Sequence, residues 1–371
     1  MIYLDSAATT LQKPAAVRYA VSGAMLTMSS PGRGGYESAM LAADTVLDCR
    51  TALADLFCVK DPERVVFTSS ATHGLNIAIR SLVGPGDKVV ISGYEHNAVW
   101  RPLWGIGADI QVAASPLFEP QAAVDAFRRR LPGAKAAVCT QVSNVFGYVL
   151  PIREIAALCR EAGVPLIVDA SQAAGSVGLD FDGLGCAFAA MPGHKGLLGP
   201  QGTGVLLCRD GDIEPLFYGG TGSMSADARM PDFLPDRLEP GTHNVPGIAG
   251  LLEGLRYVSS KQPGAILRRE QALTAQAAKG LSRVPGVKLY LSDRPELQAG
   301  VLSFTMEGKD CEELGEALGE RDVAVRAGLH CAPYAHETAG TLKTGTVRVS
   351  FSDFNTADDV RRLVTEVSRL A

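Results

Sequence analysis

Seven short runs rich in apolar, strand-forming residues recur between Arg64 and Arg209, with helical patterns between them: "RVVFTSS", "DKVVIS", "DIQVAAS", "AKAAVCTQ", "VPLIVDAS", "CAFAAM" and "TGVLLCR". Several are apolar throughout instead of alternating, as strands covered on both faces must be. This strand–helix rhythm predicts an α/β fold on a mainly parallel, seven-stranded sheet with helices on both faces. Such sheets gather ligands beyond the carboxyl ends of their strands, where Asp169 and the loop after Phe67 fall.

A chain of 371 residues is long enough to divide into two units. After Val245 the rhythm changes. Helical stretches ("GIAGLLEGLRYVSS" and Ala265 to Leu281) precede strand patterns over Val287 to Leu291, Val301 to Met306 and "GTVRVSFS". A helix over Cys311 to Leu318 and a final amphipathic one over Ala357 to Leu370 complete the region. The expectation is a large domain over residues 15–250 and a smaller α+β domain from residues 1–14 and 251–371. The Pro-rich "ARMPDFLPDRLEP" reads as a surface connection.

Composition narrows the function classes. Apolar residues make up 46% and charged residues 20%, with a net charge of −5. The basic run Arg128-Arg129-Arg130 reads as the end of a solvated helix, so no nucleic-acid partner is expected. The start "MIYLDSAATT" lacks a basic region followed by an apolar one, and no stretch of about 18 apolar residues occurs, so a cytoplasmic protein without a membrane partner is expected. The eight cysteines form no CxxC pair. In a reducing compartment most should be small buried hydrophobes.

Two residues point to a cofactor. Asp169 closes the run "VPLIVDASQ", and 26 residues later Lys195 sits in the glycine-rich "MPGHKGLLGPQGTGVLL". A lysine amine can capture the aldehyde of pyridoxal 5'-phosphate (PLP), and a carboxylate can keep its pyridine nitrogen protonated. "VVFTSSATHGLNIAI" is a strand, a hydroxyl-rich turn and a helix starting near Thr72, and a helix start of this kind can seat a phosphate. Taken alone, it is equally a plain Ser/Thr N-cap. In "ISGYEHNAVWRPL", His96 follows a strand end and offers a flat ring, while Asn144 in "TQVSNVFGYVLPI" is either a donor to the cofactor's phenolic oxygen or a turn former.

The last chemical segment is "VAVRAGLHCAPYAHETAGTLKTGTVRVSF", with Cys331 flanked by Arg326 and Arg348. Nearby cations shift a thiol from its free pKa of ~8.5 toward the nucleophilic thiolate. The spacing of His330, Cys331 and His336 matches no zinc pattern, so no metal site is expected.

In order and spacing these segments resemble the class V aminotransferase-like PLP enzymes of fold type I, most closely the type II cysteine desulfurases. The likeness runs through "YLDSAATT", "FTSSATHGLN", "EHN", "VSNVFGYVLPI", "LIVDASQAAG", "GHKGLLGPQGTGVL", "LEPGTHN" and "RAGLHCAP" ahead of "VRVSF". It implies Lys195 as the Schiff-base lysine, Asp169 on the pyridine nitrogen and His96 stacked on the ring. Gln172 and Asn144 would lie by the phenolic oxygen, with the Ala71 amide, Thr72 and His194 on the phosphate. Thr242 would reach the phosphate of a neighbouring subunit, which implies a homodimer. Arg348, with Asn144 and Arg326 beside it, would bind the substrate carboxylate. Cys331 would accept the sulfur of L-cysteine and pass it to an acceptor protein.

Three departures bear on the phosphate seat. Pro192 stands where such enzymes usually carry a hydroxyl residue, Ala71 where another is frequent, and His73 where an acid is common. Within the same fold, a selenocysteine lyase, another C–S lyase or an aminotransferase are the alternatives. A non-catalytic scaffold for a sulfur carrier would have no physical need of Lys195 or Asp169.

Overall fold

The computed structural model describes residues 1–32, 34–209 and 213–371. The chain opens with β1 (Ile2–Tyr3). Then come β2 (Val65–Thr68), β3 (Lys88–Ser92), β4 (Asp109–Ala113), β5 (Ala136–Thr140), β6 (Leu166–Asp169), β7 (Phe188–Pro192) and β8 (Gly204–Cys208). These last seven form one sheet in the order β2-β8-β7-β6-β5-β3-β4. Neighbours from β7 to β4 run parallel, and β8 is inserted antiparallel to both β2 and β7. The expected mainly parallel seven-stranded sheet is therefore present.

Every residue of β5, β6, β7 and β8 is buried. Alternate residues feed two apolar layers: Ala137, Cys139 and Val168 lie in one, Ala136, Val138 and Ile167 in the other. This is why the sequence runs are apolar without alternation. The covering helices show the 3.6-residue period. Helix Ile152–Glu161, for example, buries Ile152, Ile155, Ala156 and Cys159. Helix Pro120–Arg130 ends in the three arginines, as its charge suggested.

A second sheet is antiparallel, with the order β12 (Arg326–Gly328), β13 (Thr346–Ser350), β10 (Val301–Met306) and β9 (Val287–Tyr290). Helices Ala265–Leu281 and Ala357–Leu370 pack with it in an apolar layer that includes Leu4, Leu302, Phe304 and Val349. β1 returns to this region by pairing in parallel with β11 (Val323–Ala324). The first residues thus reach the edge where the large sheet ends. Among the described residues no helix is long and apolar enough to cross a membrane.

Candidate active site

The carboxyl ends of β3, β5, β6 and β7, together with that of β2, face one edge of the large sheet and open into a cavity of about 110 Å³. Eight residues expected at a cofactor site line it: Ala71, Thr72, His96, Asn144, Asp169, Gln172, His194 and Lys195. They come from five separate loops. Their convergence follows from parallel strand order, since every second connection returns to the same sheet edge.

Asp169 is buried at the last position of β6, where its Oδ1 accepts from the Ser171 N–H at 2.9 Å. The Lys195 loop is pressed against the turn that follows. A β-carbon on Gly196 would collide with the Ala174 carbonyl, and one on Gly175, at φ 93°, with the Gly196 carbonyl. Only glycine permits that approach. Burial lowers the Lys195 amine to about 8, with Asp169 opposing the shift. At pH 7 about a tenth of this amine is then unprotonated, far more than for a solvated lysine, and the neutral form is the one a nucleophile or base requires.

His96 caps helix Asn97–Ile106, its Nδ1 accepting from the Ala98 N–H at 3.0 Å. Burial pushes the imidazole pKa down. The neutral ring therefore carries its proton on Nε2. His194 is held down to about 4 by burial and by Lys195 and Lys13, and its Nδ1 lies 3.0 Å from the Thr9 hydroxyl. At the start of helix Ala71–Leu82, Ser70 is the N-cap and accepts from the His73 N–H at 3.2 Å. The N-cap reading and the anion-seat reading are therefore compatible, because the earlier Ala71 and Thr72 amides have no partner within the helix.

These residues fit PLP: a buried carboxylate, a partly neutral lysine, a flat neutral ring and free helix-start amides share one cavity. Pro192 lines the same cavity and can donate nothing.

Cys331 lies beside the cavity on an exposed loop, outside the lining. Its backbone carbonyl accepts from Asn97 N–H at 2.8 Å, and the His330 carbonyl accepts from Asn144 Nδ2, also at 2.8 Å. His330 and Cys331 sit at φ 49° and 55°, left-handed values that cost a non-glycine residue about 1–2 kcal/mol. The nucleophile candidate is thereby tied to the loops that present His96 and Asn144.

Arg348 is 2% exposed on β13. Its Nη1 donates to the Asn144 carbonyl at 2.9 Å and its Nη2 to Asp5 Oδ1 at 2.7 Å, while Nε is buried without a partner. Two of the five guanidinium donors are spent, which leaves capacity for an added carboxylate. Arg326 binds the other oxygen of Asp5, Nε to Oδ2 at 3.1 Å. Thr242 is exposed and lies with Ser69, His73 and His243 around a different cavity. The single chain does not bring it to the other site residues.

Sequence reasoning passed over four residues here. Asp5 engages both arginines. Thr9 and Thr10 hold the lysine loop: the Thr10 hydroxyl donates to the Lys195 carbonyl at 3.0 Å, and its N–H to the His194 carbonyl at 3.1 Å. Glu95 is fully buried, with Oε1 accepting from the Ser92 hydroxyl at 2.5 Å and the Thr140 N–H at 2.7 Å. Burial raises its pKa to about 8. It ties the ends of β3 and β5 beneath the cavity. The signals were present in "YLDSAATT" and "EHN", but nothing local marks Asp5, Thr9 and Thr10, whose partners lie well over a hundred positions away, or shows that Glu95 reaches across to the end of β5.

Known proteins are similar along the whole chain. The family description "Aminotransferase class-V" matches residues 2–363. A probable cysteine desulfurase of Methanothermobacter thermautotrophicus is 30% identical, covering 100% of this chain and 94% of that protein. The apo cysteine desulfurase of Thermococcus onnurineus superimposes with a TM-score of 0.92 at 30% identity, over 100% of this chain and 94% of that one. The S-sulfonic acid form of the cysteine desulfurase CsdA of Escherichia coli gives 0.87 at 28% identity, over 99% and 94%. With the PLP fold type I architecture shared from end to end, the chain belongs to the class V aminotransferase family.

Proposed function

We infer that this protein is a PLP-dependent cysteine desulfurase that converts L-cysteine to L-alanine and carries the released sulfur as a persulfide on Cys331. The observation that carries the reading is the tie between Cys331 and the cavity: Asn97 and Asn144 fix the thiol-bearing loop beside the lysine–aspartate pair. Relatives named for this activity, about 30% identical over the whole chain, support it.

PLP, when bound, supplies the electron sink that makes the substrate's Cα proton removable and its Cβ–S bond labile. The remaining roles belong to the chain. Lys195 holds the cofactor and its Nζ then takes the Cα proton. With PLP bound, Asp169 would keep the pyridine nitrogen protonated, His96 would offer its flat ring to the cofactor, and Gln172 and Asn144 would serve the phenolic oxygen. The Ala71 amide, Thr72 and His194 would hold its phosphate, and Thr242 would reach it from a second copy in a homodimer. Arg348 takes the substrate carboxylate in a bidentate grip, with Arg326 adding positive charge.

The Cys331 thiolate attacks the substrate sulfur. An S–S bond forms, the Cβ–S bond breaks with its electron pair staying on carbon, and that carbon takes up a proton on the way to L-alanine. The persulfide passes to a sulfur-acceptor protein or is released as sulfide by a thiol reductant.

The test is alanine and sulfide release from L-cysteine by the PLP-loaded protein in the presence of a thiol reductant. Equal amounts of the two products are expected. Cofactor binding without alanine would keep the fold and overturn the activity, and turnover of selenocysteine or cystine alone would move the assignment to another lyase.

A further inference from the structure

We propose that Asp5 is a positioning residue that aims the Arg348 guanidinium at the substrate carboxylate. The inference rests on the desulfurase reading, in which Arg348 holds that carboxylate. Arg326 on β12 stands directly opposite Arg348 on β13 in the antiparallel register. Like charges placed opposite each other on one sheet face repel. Asp5 bridges them, at 2.7 Å to Arg348 Nη2 and 3.1 Å to Arg326 Nε, and it is itself only 8% exposed. Among the described residues it is the acid that pairs with either arginine.

The backbone around Asp5 is fixed as tightly as its side chain. Its carbonyl accepts from the Ala8 N–H and the Tyr3 hydroxyl, and residue 5 bridges to Ser350 on the strand that carries Arg348. The carboxylate therefore has one address. Arg348 has a second anchor in the Asn144 carbonyl, so its plane is set by two points, with the buried Nε left unpartnered. An unpartnered donor of this kind calls for an acceptor from a ligand. Bidentate recognition depends on the plane being right, and a misplacement of about 1 Å can cost about 100-fold. Without Asp5, repulsion from Arg326 and the loss of one anchor free that plane.

The opposite expectation is equally concrete: an Asp5 that merely competed with the substrate for Arg348 would weaken binding, and its removal would strengthen it. Asp5→Asn removes the charge, whereas Asp5→Glu keeps it and displaces it by one methylene. In the PLP-loaded protein, KM for L-cysteine is expected to rise about tenfold or more in Asp5→Asn and about fivefold in Asp5→Glu, with kcat within about threefold, the pattern of lost uniform binding. Calorimetric affinity for L-alanine should fall by similar factors.

A KM within about twofold of the parent in both variants, or a lower one, would overturn the proposal. Should Asp5→Asn fail to fold, Asp5→Glu decides, because the ion pairs survive in it. A parent that makes no alanine from L-cysteine sinks the desulfurase reading alone, and L-alanine binding then still judges Asp5. A parent that binds no L-alanine overturns this proposal too.

Discussion

Replacing Lys195 with alanine is expected to lower alanine formation from L-cysteine by about 10³-fold or more, with the fold retained. The estimate combines the loss of a general base, typically worth 10²–10⁴-fold, with the loss of the covalent hold on the cofactor. Among the described residues no other lysine lines the cavity to take over. The pH dependence adds a second readout. Burial brings the Lys195 amine to about 8, against ~10.4 for a solvated lysine. A lowered pKa means that the neutral, reactive form grows as pH rises through 8 and is nearly complete above it. The rate at which the cofactor-free protein takes up PLP, followed by absorbance, should therefore rise through about pH 8 and level off by about pH 9. A rate still climbing toward pH 10 would show a solvated lysine instead.

Replacing Cys331 with alanine is expected to cut sulfide and alanine release by about 10²-fold or more while the PLP absorbance stays unchanged. Two of the eight cysteines, Cys58 and Cys331, are exposed, and the other six are buried. Burial raises the Cys159 and Cys186 thiols to about 12, which makes them poor nucleophiles. Cys58 follows helix Glu37–Leu56 and lines none of the cavities around Lys195. Cys58→Ala should therefore behave as the parent does. Equal losses in both variants would point to a general thiol effect and away from a single acceptor.

The left-handed backbone at His330 and Cys331 explains why the thiol is held where it is. Strain of this size persists only when surrounding bonds fix the loop. Here the His330 carbonyl is bonded by Asn144, the Cys331 carbonyl by Asn97, and the His330 ring by Thr346, with Nε2 3.1 Å from the threonine carbonyl.

Much of this architecture could be read from local pattern. The seven apolar runs are β2 to β8, and the long helix Ala265–Leu281, the strand Val301–Met306 and the last helix Ala357–Leu370 occupy the expected residues. Periodicity reports which faces of a segment are buried, so it locates strands and helices well. It carries no information about direction or partners. The antiparallel insertion of β8 between β2 and β7 was invisible for that reason. So was the two-residue strand β1, too short to show any period.

The same limit applies to the site. Lys195, Asp169, His96 and Asn144 were legible because each lies at or just after a strand end, and strand ends converge at one sheet edge. Asp5 was not, since its partner Arg348 lies 343 positions along the chain. Arg348 and Arg326 were expected as cations flanking Cys331 and at the substrate carboxylate, and the acid that joins them, Asp5, was not foreseen. Thr242 was carried by resemblance alone, and it lies with Ser69, His73 and His243 around a separate cavity.

The most direct test of the account is a single turnover of L-cysteine by the PLP-loaded protein without reductant, followed by mass analysis of the peptide that contains Cys331. The account requires this peptide to gain the mass of one sulfur atom in proportion to the alanine formed, with the Cys58 peptide unchanged. Alanine formed with Cys331 unmodified would contradict it, because the sulfur would then leave by a route in which this thiol takes no part.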